Sequence, residues 1–73
     1  MDIKQAIRSY AGLGGDEEVA DDAVEKFRAI DLRDGNAARP QIRALVLELY
    51  GRDMISPQVF SLYQALAVDQ VTR

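Results

Sequence analysis

The stretch PQIRALVLELY, residues 40–50, dictates most of the fold. Ile42, Leu45, Val46 and Leu49 recur at i, i+3, i+4 and i+7, the spacing that lines one face of an α-helix. Leu47 and Tyr50 widen that stripe, leaving mainly Gln41, Arg43 and Glu48 for water. A helix this apolar does not stand alone in solvent, so the remaining segments must cover it. The expectation is an all-α protein assembled on this helix.

Length then fixes the scale. Seventy-three residues make one domain, 1–73, and a chain of this size buries only about 60% of its unfolded surface. It has no Cys for a disulfide and neither Cys nor His for a structural zinc. Packing alone must supply the core.

Three further segments carry helical patterns. Asp2 can cap a first helix running to about residue 11, with Ile3, Ala6, Ile7 and Tyr10 on its apolar side. Gly12, Gly14 and Gly15 stop it. A phosphate-cradling loop would also use glycines, but it needs a preceding strand and a Gly-Lys-Ser/Thr ending, and neither is here. Asp16 opens a second helix, 16–32, with Glu17 and Glu18 in the first turn, where the helix dipole favours negative charge. Ala20, Ala23, Val24, Phe27 and Ile30 form its buried side. Asp34-Gly35-Asn36 reads as a turn, and Pro40 fits the first turn of the central helix, about 38–50. Gly51 ends that helix, and Met54 and Ile55 form an apolar lead-in. Ser56-Pro57, cap then first helical residue, starts the last helix, 57–71. Val59, Phe60, Leu62, Tyr63, Leu66, Ala67 and Val71 are its expected core side. The architecture is a compact bundle of four short helices.

Charge distribution narrows the partners. Residues 1–38 hold nine acids against five bases, and residues 39–73 hold three acids against four bases, so a net −3 divides into −4 and +1. Broad binding to nucleic acid or to an anionic membrane wants a concentrated positive face. No apolar run approaches the roughly 20 residues of a membrane span, so the chain reads as soluble and cytoplasmic.

Catalysis has little to work with. Ser9, Ser56 and Ser61 lack a His base, and paired carboxylates need a cleft that shifts their pKa values. An EF-hand placed on Gly35 would need acids at Ile30 and Gln41. Acyl carriers share this size and acidity, but no Asp-Ser-Leu triplet occurs. The chain reads as a non-enzyme, with no cofactor, metal ion or small-molecule ligand.

What remains is surface. Gln58, Ser61, Gln64, Ala65 and Val68 share the far arc of the last helix with a single charge, Asp69, which marks a candidate protein-contact face. Residues 16–25 hold six carboxylates, and Asp16, Glu17, Asp21, Asp22 and Glu25 form a candidate acidic docking face for a basic partner. The leading function is a small regulatory or interaction module, an inhibitor or adaptor that occupies a protein surface. A homodimer would complete a marginal core. The alternative is a helix-turn-helix DNA-binding regulator with 57–71 as recognition helix, offering Gln58, Ser61 and Gln64 to base edges. Against it, no Lys or Arg lies between Arg52 and Arg73.

Overall fold

The computed structural model describes residues 2–11 and 17–72, with Glu17 described by its backbone alone. Four helices follow in order: α1 (Ile3–Ala11), α2 (Glu17–Arg28), α3 (Gly35–Tyr50) and α4 (Ser56–Thr72). The glycine stop after α1 and the Asp16 cap lie outside the described residues.

Helix α1 forms as its pattern predicts. Asp2 Oδ1 accepts from Gln5 N at 2.8 Å, satisfying one orphan donor of the first turn, and the Asp2 carbonyl accepts the first intrahelical bond from Ala6 N at 2.9 Å. Ile3, Ala6, Ile7 and Ala11 point inward.

Helix α2 stops at Arg28, four residues short of the expected end. Its last turn tightens as Ile30 N donates to the Phe27 carbonyl at 3.1 Å. Asp31 Oδ1 then accepts from Arg33 N at 2.9 Å, an Asx-turn that competes with further helix. The bend still buries Ile30.

Helix α3 begins earlier than expected, because Asp34 acts as its cap rather than as part of a turn. Asp34 sits at φ −116°, its side chain accepts from Asn36 N at 3.0 Å, and its carbonyl accepts from Ala37 N and Ala38 N. Space at Gly35 is tight: a Cβ would stand 3.0 Å from the Tyr63 hydroxyl oxygen, so the ring would have to give by a few tenths of an ångström. Pro40 therefore falls in the second turn, not the first. It cannot donate to the carbonyl of Asn36, an exposed residue where water is at hand. Gly51 closes the helix at φ 64°, donating its N–H to the Leu47 carbonyl at 2.9 Å.

Helix α4 is capped by Ile55, one residue before the Ser56 cap expected. The Ile55 carbonyl accepts from Gln58 N at 3.0 Å and Val59 N at 3.2 Å, while Gln58 Oε1 accepts from Ile55 N at 3.3 Å, the return half of a capping box without a cap side chain to complete it.

Packing corrects the expected centre. Helix α4 touches all three of the others, most closely α1 and α3; α2 also reaches all three, whereas α1 and α3 barely meet, so α3 is not the shared element. Val59, Leu62 and Leu66 of α4 meet Ile7 of α1, Phe27 of α2 and Ile42 and Val46 of α3 in one apolar cluster. Phe60 and Val71, expected inside, lie outside at 45% and 85% exposure. Met54 is buried, whereas its neighbour Ile55 is exposed. The radius of gyration is 11.0 Å, about that of a close-packed domain of this length. No helix among the described residues is long and apolar enough to cross a membrane.

Candidate functional site

Burying Ala38, Ile42 and Val46 turns the opposite side of α3 to water. Asn36, Arg39 with Pro40, Arg43 with Ala44, and Leu47 recur there at helical spacing. The start of α4 rises beside this stripe. Between them runs an open groove of about 740 Å³, with Pro40, Ala44, Leu47 and Val59 as apolar lining and Asn36, Asp53 and Ser56 among its polar rim. Leu47 is 53% exposed despite its size.

Two arginines define the groove's electrostatics. Arg43 Nε and Nη2 donate to Asp53 Oδ1 and Oδ2 at 2.7 and 2.8 Å, tying the α3–α4 connection back to α3. Asp53 Oδ1 also accepts from Met54 N at 3.1 Å, fixing the bend that sends Met54 inward. The Arg43 hydrogen bonds hold the Asp53 carboxyl below the usual carboxylate range, despite some opposing desolvation. A carboxylate so committed is a weak general base. Arg39 differs: its Nε donates to the Gly35 carbonyl at 3.1 Å and its Nη2 to Asn36 Oδ1 at 2.8 Å, both neutral acceptors.

The neutral arc of α4 is brought together in part. Ser61, Gln64, Ala65 and Val68 line a shallow depression with Ala6 and Tyr10 of α1. Gln58 stands apart, its amide oxygen engaged at the α4 cap. Ser61 Oγ donates to the Pro57 carbonyl at 3.0 Å. Asp69, placed on that arc by the sequence, instead pairs with Arg28 and is largely covered.

The acidic face is partly neutralised from within. Asp21 takes Lys4 at 3.1 Å, linking α2 to α1, and Asp22 takes Lys26 at 3.2 Å one turn along. Glu25 is exposed, and Asp16 and the Glu17 side chain lie outside the described residues. Exposed pairs of this kind stabilise by under about 1 kcal/mol, but they reduce the field a basic partner would meet.

Sequence reasoning missed the α3–α4 groove because each half of it looks like ordinary solvated surface. The ten-residue spacing of Arg43 and Asp53 across Gly51 was the available signal. Among the described residues no three His, Cys, Asp or Glu side chains gather to hold a metal ion. Compared with known protein families, curated proteins and solved structures, the chain matches none.

Proposed function

We propose that this protein is a non-catalytic interaction module that works by occupying a surface of another protein, chiefly through its α3–α4 side. The observation that carries the proposal is the groove itself, an apolar floor left open beside an exposed Leu47 and braced by the Arg43–Asp53 bridge. Exposed large apolar side chains also include Ile55, just before α4, and Phe60 within it. An exposed apolar side chain beside an open groove is surface that a partner's apolar side chains would bury. The depression lined by Ser61, Gln64, Ala65 and Val68 is a smaller second face, where a homodimer contact would form.

The helix-turn-helix alternative asks Gln58, Ser61 and Gln64 to face a base-pair edge together. Gln58 and Ser61 already have local hydrogen-bond partners, and Ser61 and Gln64 line a depression shared with Ala6 and Tyr10 of α1. Those commitments favour protein over DNA as the partner.

The test is site-specific photo-cross-linking in the native host, with the reactive group at Leu47, Glu25 or Val68 in turn. Discrete partner adducts should form from Leu47 and be weaker from Glu25. Adducts from none of the three positions, or a gel shift with duplex DNA that persists at physiological salt, would overturn the proposal.

A further inference from the structure

Resting on that reading, we propose that the α3–α4 groove receives an acidic amphipathic helix from another protein. The lining stripe from Asn36 to Leu47 runs about 16 Å along α3, the rise of roughly three helical turns. Its floor has a small residue, Ala44, between Pro40 and Leu47, which leaves room for a side chain entering from above. A helix laid in such a groove contributes apolar side chains at i, i+3 or i+4, and i+7.

Charge selects among such helices. Lys4, Lys26, Arg28, Arg33 and Arg43 each hold a carboxylate of this chain. Among the described residues Arg39, on the groove wall, is bonded to a backbone carbonyl and an amide oxygen and to no carboxylate, so its positive charge is not compensated there. Glu or Asp flanking the apolar stripe of an incoming helix would meet Arg39 directly and could share Arg43 with Asp53.

Other occupants fit less well. The acidic helix of a second copy, α2, has Ala20, Ala23, Val24 and Phe27 in its own core and exposes only Val19 among its large apolar residues. The exposed apolar end of α4, Val68 and Val71, brings no spare carboxylate, because Asp69 is bound to Arg28. A nucleic-acid backbone needs several free cations, and one of the two lining arginines is already neutralised. A small carboxylate ligand would be left largely in solvent, where drug-sized ligands are normally 70–90% buried.

Titration of the isotopically labelled protein with two synthetic amphipathic helices tests this. The helices share their apolar positions and differ only in carrying Glu or Lys at the flanks. The Glu helix should move the amide resonances of Ala44, Leu47 and Val59 and bind about tenfold more tightly at low salt, a margin that shrinks as salt rises. Arg39→Gln should remove most of that margin, and Ala44→Trp, at a solvent-facing position, should block both helices while circular dichroism stays unchanged. Equal or tighter binding of the Lys helix would overturn the acidic-partner inference while leaving the groove as a contact face. Failure of both helices, or self-association that Ala44→Trp abolishes, would also overturn it. The underlying interaction reading is tested separately, by the in-cell cross-links and the gel shift.

Discussion

Arg28 and Asp69, forty-one residues apart, clasp α2 to α4 through two parallel hydrogen bonds: Nε to Oδ2 at 2.9 Å and Nη2 to Oδ1 at 2.8 Å. The two side chains are unequally covered, Arg28 at 33% exposure and Asp69 at 9%. Removing either partner breaks the bridge and leaves the other charge less compensated, at a cost that grows with that charge's burial. Arg28→Ala should therefore lower the melting temperature more than Asp69→Ala does. Equal losses, or the reverse order, would show that the bridge is not the link between these helices.

Tyr50 makes a prediction of opposite sign. Its hydroxyl is buried and has no hydrogen-bond partner among the described residues. An unpartnered buried polar group costs about 1–3 kcal/mol, so Tyr50→Phe should stabilise the fold by about 1 kcal/mol, or roughly 4–8 °C in melting temperature. Burial, and secondarily the charge of Asp22, raises the phenol's pKa above its ordinary value near 10. The folded state thus keeps a proton that the unfolded chain releases. Stability should fall as pH rises past about 10 in the native protein, and Tyr50→Phe should remove that part of the alkaline loss. Denaturant melts of both proteins at neutral and alkaline pH measure both effects.

Glycine at position 51 is required by conformation alone. At φ 64° a Cβ would meet nothing within 4 Å, so the cost of a side chain is purely backbone strain. Gly51→Ala should destabilise by about 1 kcal/mol, and Gly51→Asn by less, since Asn tolerates the left-handed region. At Gly35 the reason is space. Gly35→Ala should perturb the Tyr63 ring resonances, whereas Gly51→Ala should leave them in place.

Acid titration separates a tertiary pair from a local one. Arg33 holds the Asp31 carboxyl at about 2 by side-chain and backbone hydrogen bonds, but only two residues separate them. The unfolded chain retains much of that contact. Asp53 depends on Arg43, ten residues away across the α3–α4 bend. Its lowered pKa is a property of the fold, contributing stability above the unfolded carboxylate value near 3.9 that is lost as pH falls through the folded value. Carboxyl NMR titration of Arg43→Ala should return Asp53 to the ordinary range and leave Asp31 unmoved.

The number and order of helices were legible in the sequence because α1 and α3 carry clean apolar stripes and visible stops. Boundaries failed where side chains had two local uses. Asp34 could turn the chain or cap a helix, and it caps, its side chain accepting from Asn36 N while Gly35 packs close to Tyr63. The orientation of α4 was not readable. Apolar residues run almost all the way round it, so its own pattern could not say that Leu62 and Leu66 go inside while Phe60 and Val71 stay out. Nor could it show that Asp69 would be claimed by Arg28. The groove stayed hidden for a related reason, being made by the wet sides of two elements whose relative placement only the packing decides.

α1 and α3 scarcely touch, and the groove lies between α3 and the start of α4, so it needs both of those elements in place. During translation α1 and α2 can pair as soon as both have emerged, but α3 has only the flank of α2 to rest on until residues 56–72 appear. The groove cannot exist before then. Any partner that engages it therefore meets a chain whose last helix has already been made and docked.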